Sequence, residues 1–296
     1  MPITIDGLTK RFPNGKGIFD ITFSVNEGEV FGFLGPNGAG KSTTIRHLMG
    51  FMKPTSGHSE INKFDCWKDS STIQKSVGYL PGEIAFLEGM SGHEFLKFLS
   101  GMRSMKSTKR QGELIDLLQF DVNTPIRKMS KGMKQKLGIV AAFMHDPEVL
   151  ILDEPTSGLD PLMQNTFIEL INDEKEKGKT ILMSSHSFAE INRTSDRVGI
   201  IKDGRIVAIE KVQRLQSIQR KIFNVTVKAE EDIDAIKQSP LDVVAVEQNN
   251  IQIAVQGDFE QFVQELSNCG IISIDVHHQN LEDIFMHFYE KDGDQK

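Results

Sequence analysis

The segment Gly35-Pro36-Asn37-Gly38-Ala39-Gly40-Lys41-Ser42 has the spacing G-x-x-x-x-G-K-[ST]. Glycines at these intervals let successive backbone N–H groups point inward at an anion, because no side chain blocks the approach. A helix opening at Lys41 would add the positive end of its dipole. Gly35 through Thr43 therefore form a candidate phosphate cradle. Lys41 would reach the β- and γ-phosphates of a nucleotide, and the Ser42 hydroxyl would ligate Mg²⁺. A second group is the acid pair Asp153-Glu154, which follows the apolar run Val149-Leu-Ile-Leu152. A carboxylate at the carboxyl end of a buried strand is placed to hold Mg²⁺ directly or through water, and that is Asp153. Glu154 is the candidate general base toward an attacking water. Taken alone, the pair reads more readily as a solvated Asp-Glu-Pro turn. The cradle upstream favours the catalytic reading.

Such groups need a scaffold, and the surrounding sequence supplies one. Glu29–Leu34 is a short apolar run ending in the glycine-rich turn, which reads as a buried strand, and Lys41–Phe51 suits a helix. Val149–Leu152, Thr180–Ser184 and Arg197–Ile201 read as further buried strands. Between them Pro161–Lys177 is helical, with Phe167, Leu170 and Ile171 at helix spacing. Strands alternating with helices imply a parallel α/β sheet. Residues 84–145 differ: His93–Leu99, Gln111–Gln119 and Met133–Met144 are helical, and strand signals are few. They read as a helical insert in the α/β core.

The tail changes character. Residues 1–215 carry 28 Lys+Arg against 26 Asp+Glu, and residues 216–296 carry 6 against 15, so net charges of +2 and −9 give the total of −7. The shift marks a boundary, with a small acidic domain after it. In that domain Ile222–Val227, Val243–Glu247, Ile251–Val255 and Ile271–Val276 read as strands. Asp232–Gln238 and Phe259–Cys269 read as helices, and Gln248-Asn249-Asn250 as a hairpin turn. The order β-α-β-β-α-β is that of a ferredoxin-like unit. Leu281–Tyr289 reads as a last amphipathic helix.

Composition removes several classes. The longest apolar stretch, Leu137–Met144, is far short of the roughly 18–20 residues a membrane span needs. The start Met1-Pro2-Ile3-Thr4 is not expected to be a secretory signal. Cys66 and Cys269 fit no metal spacing and read as free thiols in a reducing cytosol. A net charge of −7 argues against nucleic acid as a partner bound through bulk positive charge. The most basic local stretch, Arg103-Ser-Met-Lys106-Ser-Thr-Lys109-Arg110, reads as an exposed helix start or loop, with contact to a partner or a lipid surface as the lesser reading.

Three further motifs narrow the choice among phosphate-binding enzymes. Met129-Ser130-Lys131-Gly132-Met133-Lys134-Gln135 resembles the signature motif of ATP-binding cassette (ABC) ATPases, usually written L-S-G-G-Q. Ser157-Gly158-Leu159-Asp160 resembles that family's D-loop, and His186, after Ser184-Ser185, its switch histidine. The resemblance covers about residues 2–215. It implies a P-loop NTPase fold of the ABC type, with the helical subdomain at 84–145 and an accessory domain at 216–296. It also implies ATP and Mg²⁺ as cofactors.

Position by position, the resemblance makes Phe12 the aromatic that stacks on adenine. Ser130 and Gly132 become contacts to the γ-phosphate of an ATP bound to the opposite subunit. Asp160 becomes a residue tuning the dimer contact, and His186 a γ-phosphate contact beside Glu154 and Lys41. There are departures: Lys131 replaces the first signature glycine and Met133 the glutamine. The position of the family's Q-loop glutamine holds Gly82, and Glu83 is the nearest substitute for the Mg²⁺ and water contacts.

One cradle and one signature per chain imply two cassettes facing head to tail, as a homodimer or a hetero-pair, with two ATP molecules between them. The work would pass to a separate transmembrane permease, which would hold the chain on the cytoplasmic face of the membrane. Gly78-Tyr-Leu-Pro-Gly-Glu83 and Asn280-Leu-Glu-Asp-Ile-Phe285 resemble cassettes of drug, polysaccharide and lipid exporters. A second reading is a soluble ABC-type ATPase acting on a ribosome, DNA or a scaffold. Such relatives carry two cassettes or a coiled-coil insert, and this chain has one cassette and no heptad run.

Overall fold

The computed structural model describes residues 1–87, 89–218, 221–255 and 259–277. Internal contacts divide the chain into two compact units, Met1–Glu210 and Lys211–Lys296. The division falls slightly before the position read from charge.

The first unit runs β1 (Ile3–Arg11), β2 (Gly17–Val25), β3 (Val30–Leu34), α1 (Lys41–Leu48), β4 (Ser56–Ile61), β5 (Phe64–Asp65), α2 (Ser70–Ser76) and β6 (Val77–Leu80). Then come α3 (Gly92–Met102), α4 (Lys109–Leu118) and α5 (Lys131–Phe143). The unit closes with β7 (Val149–Asp153), α6 (Pro161–Glu176), β8 (Thr180–Ser185), α7 (Phe188–Thr194), β9 (Arg197–Lys202) and β10 (Arg205–Lys211). One sheet has the order β10-β9-β3-β8-β7-β6. Within it β3, β6, β7, β8 and β9 pair in parallel. Every residue of β3, β7 and β8 is buried. Such strands are covered on both faces, which is why they read as unbroken apolar runs rather than alternating ones. β7 extends one residue beyond the expected end, so Asp153 is its last residue and pairs in register with Ser184 of β8.

A second, antiparallel sheet β2-β1-β4-β5 was not legible as strands in the sequence. Its strands carry register shifts that interrupt the period of two, as between Ile5 and Leu8 of β1. Ile3, Ile5, Leu8, Phe23 and Val25 share one core with Phe31, Phe33, Ile151 and Leu182 of the parallel sheet, and with Ile45 and Leu48 of α1. α1 touches β2, β4 and β7, so the helix that follows the cradle is fixed from both sheets. Truncating Leu48 to alanine would cost about 2–5 kcal/mol of stability. The insert holds α3, α4 and α5. α3 opens on a capping box, in which Ser91 Oγ accepts from Glu94 N–H at 3.3 Å and Glu94 Oε2 accepts from Ser91 N–H at 2.8 Å.

The second unit holds α8 (Val212–Ile218), β11 (Lys221–Val227), α9 (Glu230–Gln238), β12 (Asp242–Glu247), β13 (Asn250–Val255), α10 (Glu260–Leu266) and β14 (Ile271–His277). The strand order β12-β13-β11-β14, antiparallel throughout, is the ferredoxin-like arrangement. Val225, Val227, Ile251 and Ile253 face Ile236, Phe262 and Leu266 in its core. The expected helix Leu281–Tyr289 and the segment Asn280–Phe285 lie outside the described residues. Among the described residues no helix is long and apolar enough to cross a membrane.

Candidate active site

The cradle links the carboxyl end of β3 to the start of α1. Gly35 lies against β9: a Cβ there would stand 2.4 Å from the carbonyl oxygen of Ile201. Gly40 has φ +113° and would bring a Cβ to 2.7 Å from Ile18 Cγ2, so both its conformation and its surroundings require glycine. The first turn of α1 contains no acid, which leaves its N–H groups and dipole unopposed. Lys41 is buried. Its Nζ donates to the carbonyls of Gly35 at 2.6 Å and Pro36 at 3.2 Å. Ser42 and Thr43 are half-buried in the same turn. Phe12 is half-buried at the β1–β2 turn, where its N–H donates to Lys16 O at 2.8 Å. The β2 end of that hairpin supplies Ile18 to the wall of Gly40.

The acid pair meets the cradle through Lys41. Glu154 Oε1 is 3.0 Å from Lys41 Nζ, and Glu154 Oε2 is 2.7 Å from His186 Nδ1. Glu154 itself has φ +49°, a left-handed conformation uncommon outside glycine. Its backbone is held in that state: its N–H donates to Ser184 Oγ at 3.0 Å. Ser184 Oγ in turn donates to Asp153 Oδ1 at 2.5 Å. Asp153 is 3% exposed and forms no ion pair among the described residues. His186 is 60% exposed, at the edge of the site. Gly82 faces Asp153, and a Cβ there would come within 3.1 Å of Asp153 Oδ2. Glu83 is exposed, and among the described residues no hydrogen bond or ion pair joins it to Asp153, Glu154 or Ser42.

The signature segment is built differently. Ser130 caps α5, its Oγ accepting from Met133 N–H at 3.2 Å, so Gly132 stands in the first turn of a helix whose start carries Lys131 and no acid. A Cβ on Gly132 would be 2.9 Å from Gly158 O, which brings signature and D-loop into direct contact. Lys131 Nζ donates to Ser157 Oγ at 3.1 Å, and its stem lies along Gly158. Asp160 caps α6, with Met163 N–H donating to Oδ1 at 3.0 Å. Ser130 and Asp160 are exposed. Among the described residues no hydrogen bond or ion pair joins Ser130, Lys131 or Gly132 to Gly35–Thr43.

Two supporting residues were missed in the sequence. Gln135, buried on α5, donates from Nε2 to Pro155 O at 2.7 Å and to Glu154 O at 3.5 Å. Glu190 on α7 accepts from Ser185 Oγ at 2.6 Å through one oxygen and from Thr156 Oγ1 through the other. Each ties the turn after the acid pair to another element. A polar residue on a helix face otherwise filled by Gly138, Ile139 and Ala142 was the available signal for Gln135. Glu190 had none beyond its place in the first turn of a helix.

Comparison with known proteins gives the family. Residues 18–157 match the profile of the ABC transporter family. The bacitracin transport ATP-binding protein BcrA of Bacillus licheniformis is 32% identical over 289 residues, 94% of each chain. The linearmycin resistance ATP-binding protein LnrL of Bacillus subtilis (strain 168) is 35% identical over 209 residues, 69% of this chain and 67% of its own. The solved structure of an ATP-binding subunit of an ABC transporter superposes with a TM-score of 0.67 at 32% identity, covering 73% of this chain and 92% of that one. The profile spans the cradle, the signature segment and the acid pair, and BcrA aligns over 94% of the chain, so the chain belongs to the ABC transporter family, as one of its ATP-binding, ATP-hydrolysing subunits.

Proposed function

We propose that this subunit works as half of a head-to-tail pair that drives an exporter through a separate transmembrane permease. The observation that carries the reading is the bridge Lys41–Glu154–His186, at 3.0 and 2.7 Å, set against a signature segment with no bond to its own cradle. The bridge joins a phosphate-holding cation to a carboxylate able to take a proton. The signature presents a capped helix N-terminus outward. A second copy, or a related cassette, would bring Ser130 and Gly132 to the γ-phosphate held by Gly35–Thr43. Phe12 would stack on the adenine. Asp160 would set the approach of the two protomers.

In the reaction a water oxygen attacks the γ-phosphorus, the bond to the β–γ bridging oxygen breaks, and ADP leaves. The water's proton passes to Glu154. His186, bonded to the same carboxylate, orients it and touches the γ-phosphate. Asp153 and Ser42 fit a hard divalent cation. Asp153 is a buried carboxylate without a cationic partner among the described residues, and Ser42 presents a hydroxyl at the cradle. Mg²⁺ held there would neutralise charge on the phosphates. Glu83 is the third candidate ligand, and Glu83→Ala tests it: a raised Mg²⁺ requirement supports the assignment, and an unchanged one removes it.

Work reaches the permease through the helical insert next to Gly82 and Glu83. Leu87, Phe98 and Met102 are exposed there, Phe98 and Met102 on α3, and offer apolar surface to a membrane partner on its cytoplasmic side. Export is the direction favoured by the BcrA and LnrL relatives, one named for bacitracin transport and one for linearmycin resistance. The experiment is purification from membranes: a multi-span protein should come with the chain. The reading fails if a strictly monomeric preparation hydrolyses ATP at full rate at every dilution.

A further inference from the structure

A cavity of about 590 Å³ lies where three segments of the first unit converge. Lys75 comes from the end of α2, Arg103 and Lys106 from the α3–α4 connection, and His145 from the turn before β7. These positions precede β6 and β7, so the cavity is at the amino ends of the parallel strands, whereas the cradle follows the carboxyl end of β3.

Three features mark the place. The first is uncompensated charge. The wall's two carboxylates are already engaged: Glu113 pairs with Arg110 at 3.3 Å and Lys109 at 3.8 Å, and Asp146 pairs with Lys179. Arg110 also bonds the buried Glu174 at 2.5 Å. Lys75, Arg103 and Lys106 have no carboxylate partner among the described residues. Arg103 is instead fixed by backbone, its Nη1 donating to Lys75 O at 2.8 Å and its Nη2 to Gln74 O at 3.3 Å. The second is His145, both of whose ring nitrogens are buried without a hydrogen-bond partner among the described residues. Burial, with the Arg103 charge adding to it, pushes its imidazole down to about 4. The third is the start of α4. Thr108 makes no side-chain cap, Ser107 Oγ accepts from Lys109 N–H at 3.2 Å, and the first turn holds no acid, so Lys109 and Arg110 stand at the positive end of the dipole.

One anion could engage the first and the third. It would pair with the guanidinium and the two ammonium groups and meet the N-terminal turn of α4. We propose that this cavity binds a small soluble phosphate-bearing molecule, at a site separate from the cradle. The depression is open to solvent and has room for a diphosphate or a phosphate ester. Lys75 and Lys106 are exposed, so replacing them leaves the core untouched.

The probe is inorganic pyrophosphate, titrated calorimetrically into the full chain saturated with Mg·ADP so that the cradle is occupied. Saturable binding is expected, weakened at least tenfold in Lys75→Gln/Lys106→Gln while ADP affinity stays at the wild-type value. No saturable binding, or equal affinity in the double variant, overturns the proposal. So does co-sedimentation with phosphatidic acid vesicles, absent with phosphatidylcholine vesicles, when pyrophosphate itself does not bind. That result would assign the charge to a lipid surface.

Discussion

The cradle with its acid pair and the signature with its D-loop are built on opposite plans. In the first, the cation, the acid pair and the histidine are joined within one chain: Lys41 holds two loop carbonyls and Glu154, Ser184 holds Asp153 and the backbone of Glu154, and His186 holds the other Glu154 oxygen. In the second, Ser130 and Asp160 are exposed helix caps and Gly132 packs only on the neighbouring D-loop. A self-contained network positions atoms for a reaction. An outward-facing helix start with no acid in its first turn is an anion site addressed to something else. On the proposed head-to-tail pairing, one protomer would supply the bond-breaking groups and the other the groups that sense closure.

The largest effect should come from Glu154→Gln. The amide keeps the shape but cannot take a proton, so hydrolysis should fall by roughly 10²–10⁴-fold while ATP still binds and the closed pair accumulates. Single-turnover hydrolysis and size-exclusion chromatography with ATP measure both. Turnover near the wild-type rate would remove Glu154 from the base position and break the contrast at its centre. Lys41→Ala comes next. A charge-assisted hydrogen bond contributes about 1.5–3 kcal/mol, so ATP affinity should drop by about 10- to 150-fold, read by calorimetry. Pairing should be lost with it, because the ligand that bridges the two plans is no longer held.

Gln135→Ala sharpens the comparison, since Gln135 is where the two plans touch inside one chain. The residue sits five positions after Ser130 on α5 and holds the carbonyls of Glu154 and Pro155. Removing it leaves a buried carbonyl without its donor, and stability should fall by about 1–3 kcal/mol in chemical denaturation. kcat should fall about tenfold, equivalent to about 1.4 kcal/mol, with KM for ATP unchanged because the cradle keeps its contacts. A KM change of the same size would show that α5 shapes the cradle as well.

How much of this was legible follows the same division. Four of the five parallel strands, the cradle and the acid pair were readable because fully buried β3, β7 and β8 appear as apolar runs, and because glycine, lysine and paired acids at fixed spacing have few other uses; β6, only four residues long, was not read. The antiparallel sheet was not readable. Its strands are half-buried and carry register shifts, so the period of two is lost at Leu8 and again near Thr9. The helix caps hid in the signature and D-loop. Ser130 and Asp160 are ordinary N-cap residues by type, and nothing in their spacing separates a cap from a ligand contact. Gln135, Glu190 and Ser184 act through tertiary partners 20, 34 and 31 positions away, which local pattern does not encode.

The smallest effect tests the departure at Lys131. Its ammonium stands at the start of α5 and bonds Ser157 within the same protomer, in an exposed setting. An exposed contact of this kind contributes up to about 1 kcal/mol, and removing a cation from the positive end of a helix returns about 0.3–1 kcal/mol. The two nearly offset in Lys131→Gly, which restores the glycine common in the family. Turnover and the ATP concentration needed for pairing should each change by less than about fivefold, within what 1 kcal/mol allows. The measurement is pairing of the Glu154→Gln background with and without Lys131→Gly, so that hydrolysis does not drain the complex. A shift in pairing beyond tenfold would mean that Lys131 reaches across to the partner's nucleotide, and the signature would then count as a charged grip on that phosphate instead of a neutral helix start.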